Sequence, residues 1–343
     1  MHSLKKLMWI IFFLFWITNC QHNHCSSPSQ TTKQLSLRES GTGSPGGIPN
    51  LKATCYMNSV LQILKAFYLP KVNEKSDELA KPLQALMQVI QDDREAANQN
   101  EAIAVFEALH HKFGWTSDYE SHEDAADLMD KFLDWINIPL AATNTISIDP
   151  TTKEAGAPSD DQWFNYHVEL PTEREDLKTI QDFFNNSLVP DKVMAKLKED
   201  KSDRALDRVK RLKDLDKLYK GMLILQLKRF ATNGGTTRLD DRTYSKDFVK
   251  IKIDKEVEEP FHLIIKKEQT FENEKNFYYK LVGFIRHKGS LEEGHYKAYI
   301  KKDGIWICYN DNDLSTVSDV KAEAKAKQAY LFFYEPIQLK RNP

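Results

Sequence analysis

The sequence predicts an α+β chain in which a helical lobe precedes an antiparallel sheet, and three observations predict it. Between about residues 55 and 136 apolar residues recur every three or four positions, the period of a helix with one buried face. Beyond residue 160 they alternate or gather in short runs bounded by turn residues, the pattern of strands. The composition, 41% hydrophobic and 29% charged over 343 residues, is that of a globular protein too long for one compact core. A formal net charge of −2 and the lack of a basic stripe interleaved with aromatics argue against nucleic acid as a partner.

The N-terminus reads as targeting rather than structure. "MHSLKK" is a short basic region, and Leu7–Ile17 supplies eleven apolar residues, enough for a signal-peptide core and too few to span a bilayer. "ITNC", ending at Cys20, is similar to a lipoprotein cleavage box, except that Asn19 stands where a small residue belongs. Residues 1–20 are therefore expected to direct export, with membrane attachment through this segment or a lipidated Cys20. Residues 21–46 are rich in Ser, Thr, Gln, Gly and Pro and bury almost nothing, which makes them a linker. The folded domain is expected over 47–337, with 338–343 as a tail.

Helices are predicted over Cys55–Tyr68, Asp77–Asp92, Glu101–Phe113 and His122–Ile136; in the last, Ala125, Leu128, Met129, Phe132 and Ile136 keep helical spacing. Strands are predicted in "QWFNYHVEL", "MLILQLKRF" (Met222–Phe230), "FHLIIK", "FYYKLVGFIRH", "HYKAYIK", "GIWICYN" and "AYLFFYE". Asp191–Lys220 is dense in charge with Val193, Leu197, Leu206, Val209 and Leu212 at helical spacing, so a solvated helix is expected there.

Of four cysteines, Cys20 and Cys25 precede the folded part, leaving Cys55 and Cys308. No CxxC pair exists, so neither a zinc ribbon nor a dense disulfide framework is expected, and no cofactor is implied. A lone cysteine is by default a buried filler. Cys55, however, stands in the first turn of an amphipathic stretch with Met57, Val60, Leu61, Leu64 and Phe67 on its apolar side, where free N–H groups and the helix dipole would lower a thiol pKa. A nucleophilic cysteine needs a base from elsewhere in the fold. His295 follows Gly294 ahead of a strand-forming run, and "YND" closes the next strand, so an antiparallel pair would return Asn310 or Asp311 to the imidazole. Asn and Asp also suit a plain turn there.

These residues resemble a family. "GIPNLKATCYMNSVLQIL" is similar to the cysteine box of the ubiquitin-specific proteases, and "HKGSLEEGHYKAYIKKDGIWICYNDNDLSTVS" to their histidine box. "LILQLKRF" and "AYLFFYE" resemble the strand between the boxes and the closing strand, while "HEDAADLMDKFLDWI" is a worn version of the Gln-Gln-Asp-Ala-His-Glu-Phe helix. The ordered blocks span about residues 47 to 335. The resemblance implies a papain-like fold with helical thumb, palm and β-sheet fingers, and hydrolysis after the terminal glycine of ubiquitin. It implies Cys55 as nucleophile, His295 as base and later acid, Asn310 as orienting residue with Asp311 as a substitute, and Asn50 as oxyanion donor. It further implies Asp124, Asp127, His287 and Tyr296 against the ubiquitin tail.

Four departures accompany it. Lys52 replaces a glycine before the nucleophile, a change that matters if the position needs positive φ. Ala126 and Asp127 stand where His and Glu are usual. The family's two zinc-binding cysteine pairs are missing, so no zinc site is expected, with the charged helix filling the space. An export signal on such a domain implies a bacterial effector acting in a eukaryotic host. The competing readings are an isopeptidase for another ubiquitin-like modifier and a non-catalytic ubiquitin-binding protein.

Overall fold

Helix α1 (Cys55–Ile63) is buried on every side, as a helix must be when it runs through a core rather than over one. The structure, a computed structural model, describes residues 44–338 apart from 115–118, 196–203, 234–248, 259, 291–292 and 326–327. The expected signal segment with Cys20, nearly all of the linker and most of the tail lie outside the described residues.

From α1 the chain passes through a π turn (Leu64–Tyr68) into α2 (Leu69–Asn73), whose Pro70 sits where a helix can spare an N–H. The π turn carries Lys65, buried and paired with Asp93 at 2.6 Å; Asp93 also accepts from Lys302 at 2.9 Å and from the Tyr309 hydroxyl at 3.1 Å. This ties the helices to the strands, and removing one member of such a buried pair typically costs about 3–5 kcal/mol. Helices α3 (Ala80–Ile90), α4 (Gln99–Phe113) and α5 (Ala125–Trp135) complete the lobe. α4 opens on a reciprocal Asn98–Glu101 capping box and stops at Gly114 in the left-handed region.

The strands follow as β1 (Ala141–Ile148), β2 (Ser159–Trp163) and β3 (Asn165–Val168), then helix α6 (Ile180–Ser187). Next come β4 (Asp191–Ala195), β5 (Arg204–Lys213), β6 (Leu223–Leu227), β7 (Phe230–Asn233) and β8 (Val249–Lys252). β9 (His262–Ile265), β10 (Phe277–Gly289), β11 (Gly294–Lys302), β12 (Ile305–Asn310) and β13 (Asp313–Thr316) lead to α7 (Val320–Lys325) and β14 (Ala329–Pro336). One sheet runs β13-β12-β11-β10-β14-β6-β3, with β9 beside the start of β10; a second runs β2-β1-β5-β4; β7 and β8 form a separate ribbon. All pairs are antiparallel except β3 with β6.

The large sheet is covered on both faces, which explains its continuous apolar runs. Tyr296, Ala298 and Ile300 of β11 face the helical lobe, whereas Tyr299, with Phe284 and Phe332, packs into a second core beneath α6. Cys55 lies in the first core and Cys308 in the second.

Three expectations are corrected. The helix expected over Asp191–Lys220 is the pair β4 and β5, with Asp191 opposite Arg208 in register and ion-paired to it. Leu206, Val209 and Leu212 recur every three residues, which reads as helical spacing, but only Leu206 and Leu212 are buried, and their six-residue separation is three strand periods, whereas two helical turns need about seven; Leu197 lies outside the described residues. "QWFNYHVEL" is two strands in two sheets, broken at Phe164. β1, whose Thr- and Asn-rich sequence carries little apolar signal, was not expected as a strand at all.

The approach to α1 holds Lys52 at φ 92. Ala53 N–H donates to the Tyr119 carbonyl at 2.8 Å, and the Lys52 ammonium meets Glu120. A non-glycine residue in this region typically costs about 1–3 kcal/mol, more than the 0 to ~1 kcal/mol of a solvent-exposed ion pair. Lys52→Gly should therefore stabilise the fold by about 1 kcal/mol after the chain entropy glycine adds to the unfolded state, and so raise the urea midpoint; a lowered midpoint would contradict the strain.

Candidate active site

Cys55 is the first residue of α1, so its sulfur sits where backbone donors are unpaired. Asn50 prepares this start: its Oδ1 accepts from Thr54 N–H at 3.0 Å, and Thr54 Oγ1 in turn accepts from Leu51 N–H at 2.9 Å. Cys55 is 1% exposed, and its sulfur receives the Tyr296 N–H at 3.5 Å. Burial pushes the thiol up to about 11, against the pull of the Tyr296 and helix-start N–H groups and with a further push from Asp311. The expectation of a lowered pKa is thus corrected. Desolvation outweighs the helix dipole, and the resting thiol is neutral.

Because Tyr296 donates to the sulfur, its neighbour His295 stands at the same point of the fold. Nε2 of His295 is 2.6 Å from Oδ1 of Asn310 and 3.9 Å from Oδ2 of Asp311. With Nε2 engaged by the amide, Nδ1 is the ring nitrogen left for exchange with sulfur. Gly294 cannot be replaced lightly, since a Cβ there would collide with Nε2 of His287.

Asp311, at φ 52 in the turn after β12, serves a second purpose. Its Oδ2 accepts from Asn50 Nδ2 at 2.9 Å, its Oδ1 from Asn58 Nδ2 at 2.8 Å, and its carbonyl from Ile48 N–H at 2.9 Å. Burial raises its pKa, opposed by the two amides and by His295. Asn58 also donates to the carbonyls of Ile48 and Pro49, both at 3.2 Å. The sequence reading missed Asn58. The signal available was a polar amide one turn after Cys55, in the middle of an otherwise apolar helical face.

The residues expected to meet a ubiquitin tail divide. Asp124 is the N-cap of α5, accepting from Ala126 N–H at 2.7 Å and from the Tyr330 hydroxyl at 2.7 and 2.9 Å, while Gln226 donates to that hydroxyl at 2.6 Å. It is neither an open acid nor an unpartnered one, because the helix start offers the nearest donors. Asp127 is exposed in the first turn of α5. One turn further, burial pushes Asp130 up to about 6 despite the Asn165 amide at 2.6 Å. Tyr296 is buried beside Cys55 and hydrogen-bonded to the backbone of Ala125. His287 is 4% exposed, packed against Tyr296 and Phe230. Burial and the Lys252 charge push it down to about 3, so it is a neutral ring, buried directly beneath Gly294.

Among the described residues no group of three His, Cys, Asp or Glu side chains is placed to hold a metal ion. The arrangement of thiol, imidazole, orienting amide and a donor at the helix start is that of acyl transfer through a covalent intermediate.

The comparisons with known proteins agree with this geometry. Residues 46–334 match the profile of the family described as "Ubiquitin carboxyl-terminal hydrolase". Ubiquitin carboxyl-terminal hydrolase 8 of Saccharomyces cerevisiae is 36% identical over 118 residues, 33% of this chain and 23% of that protein. Probable ubiquitin carboxyl-terminal hydrolase 8 of Schizosaccharomyces pombe is 33% identical over 118 residues, 34% of this chain and 22% of that protein. The matches thus span about a quarter or less of these relatives. The SAGA Ubp8/Sgf11/Sus1/Sgf73 DUB module bound to ubiquitin aldehyde contains a chain that superimposes with a TM-score of 0.67 at 19% identity, over 89% of this chain and 72% of that one, which shows a shared fold. Since the family profile covers nearly the whole described chain, the protein belongs to the ubiquitin carboxyl-terminal hydrolase family.

Proposed function

We propose that the chain is a thiol-dependent deubiquitinase that hydrolyses the peptide or isopeptide bond after the C-terminal glycine of ubiquitin. The observation that carries the proposal is the meeting of a helix-start thiol with a hairpin whose imidazole is already paired with an amide. In this reading Cys55 attacks the carbonyl carbon as its proton passes to Nδ1 of His295. The C–N bond then breaks and the leaving amine takes that proton. Water, deprotonated by the same imidazole, attacks the thioester, releasing the ubiquitin carboxylate and restoring the thiol.

Asn50 stabilises the developing oxyanion. Its Oδ1 and one N–H are committed to Thr54 and Asp311, leaving the second Nδ2 hydrogen for the substrate. Loss of one such donor typically costs about 2.7–4 kcal/mol of barrier. Asn310 orients His295, and Asp311 aims Asn50. At the tail, Asp127 takes the arginines that precede the terminal glycines of ubiquitin, while Asp124 holds the helix start that carries it. A charge-assisted bond of about 1.5–3 kcal/mol favours ubiquitin over modifiers without those arginines.

The same proposal has the protein exported by a bacterium and acting in a eukaryotic host, held at a membrane by the N-terminal segment or by lipid on Cys20. Its support is the basic start and apolar run of residues 1–17. Fractionation of producing cells tests it, recovery solely in the cytosol being the contrary result.

Two expectations test the mechanism. A ubiquitin probe bearing a C-terminal electrophile should label one cysteine; Cys55→Ala abolishes labelling and Cys308→Ala preserves it, because Cys308 lies in the other core. Labelling that persists without Cys55 would remove the nucleophile. Asn310→Ala should lower kcat at parental stability, whereas Asp311→Ala lowers kcat and also costs about 1–3 kcal/mol by stranding the Asn50 and Asn58 donors. Steady-state kinetics with urea unfolding separate the two, and a purely kinetic Asp311 effect would contradict the aiming role.

A further inference from the structure

The hairpin that carries His295 outruns its sheet. β14 begins at Ala329 opposite Arg286, and the last bond on that side joins His287 N–H to the Gln328 carbonyl at 2.8 Å. β10 continues to Gly289, pairing only with β11, and His295 sits opposite Lys288. In a strand the N–H and C=O of one residue point the same way and alternate along the chain, so the carbonyls of His287 and Gly289 face the side where β14 has ended. Such carbonyls need a donor or water, and a two-stranded end without a neighbour is mobile.

One side chain fills that place. Nζ of Lys252, the last residue of β8, donates to the His287 carbonyl at 2.8 Å and to the Gly289 carbonyl at 2.8 Å. We propose that Lys252 is a positioning residue for catalysis, its ammonium standing in for the missing strand so that the hairpin holds His295 against Cys55; this rests on the reading of His295 as the base. Lys252 touches no reacting atom. It acts through the backbone on either side of Lys288, the cross-strand partner of His295.

Its own base is firm. Ile253 N–H donates to the Arg229 carbonyl at 2.7 Å, and the Arg229 guanidinium returns bonds to the carbonyls of Ile253 and Lys255 at 2.9 and 2.8 Å. Arg229 is fully buried and also bonded to the Ala329 carbonyl, at the start of β14. The β7–β8 ribbon and the end of the large sheet are thereby fixed to one guanidinium, and Lys252 extends that anchorage to the hairpin. Burial and the nearby Arg229 and Arg286 charges lower the Lys252 pKa, opposed by Asp254.

The test is Lys252→Met, which keeps the apolar stem and removes the donors. With a fluorogenic amide of the ubiquitin C-terminus, kcat should fall about ten- to hundredfold with KM little changed, as for a catalytic group displaced by a fraction of an ångström. Amide hydrogen exchange of the substrate-free protein should quicken over residues 287–296 and stay parental in the rest of the sheet. Lys252→Arg, which retains N–H donors, should keep the slow exchange of the hairpin. Parental exchange at 287–296 in Lys252→Met would overturn the inference, as would quickening across the whole sheet. An inactive parent chain would count against the proposed function while leaving the exchange result to judge the anchor.

Discussion

The structure depends on one contact, the Tyr296 N–H donating to the Cys55 sulfur. It fixes the start of α1 against the beginning of β11 and so joins the helical lobe to the large sheet. The contact follows from packing rather than from its own strength. α1 has no exposed face, and Val60, Ile63 and Leu64 share a core with Ala298, Ile300 and Tyr309. Once those residues interlock, the helix start has a single place to stand. Asp311 then closes the assembly, drawing Asn50 and Asn58 from the helix side to a turn on the strand side.

Burial governs the charges of this site. The thiol is raised, His287 is kept neutral and Asp311 is raised even with two amides and an imidazole nearby. A low-dielectric pocket disfavours standing charge, so the resting Cys55 thiol keeps its proton, and the proposed mechanism forms the thiolate only as that proton passes to His295. Where a charge is kept, it is paired or donates to carbonyls, as in Lys65 with Asp93 and Arg229 with three backbone oxygens. Several buried atoms have no partner among the described residues, including Oδ1 of Asn58 and Nδ1 of His287. Asn58 lies one turn after Cys55, and His287 packs against Tyr296, the neighbour of His295.

Much of this was legible in the sequence because it is local. The helical period through α5, the runs of β10, β11, β12 and β14, and the return of Asn310 to His295 across an antiparallel pair all follow from side-chain spacing. What failed depended on long-range pairing. β4 and β5 read as a helix because Leu206, Val209 and Leu212 recur every three residues, and pairing with β1 buried only the first and last of them. The pKa of Cys55 could not be read, since the helix dipole is a sequence property whereas desolvation depends on everything packed above it. The burial of His287 beneath Gly294 likewise depends on how β10 packs and could not be read from its position in the chain. Lys252 carried no signal, because its partners are carbonyls, which no sequence distinguishes.

The central claim is that this packing places a thiol and an imidazole where they cleave after the last residue of ubiquitin. The most direct measurement is the initial rate of fluorophore release by the purified chain from C-terminal fluorogenic amides of ubiquitin and, in parallel, of SUMO, whose tail lacks the paired arginines. The account predicts steady turnover of the ubiquitin substrate well ahead of SUMO. Folded protein that turns over neither substrate, or both at the same rate, would contradict it.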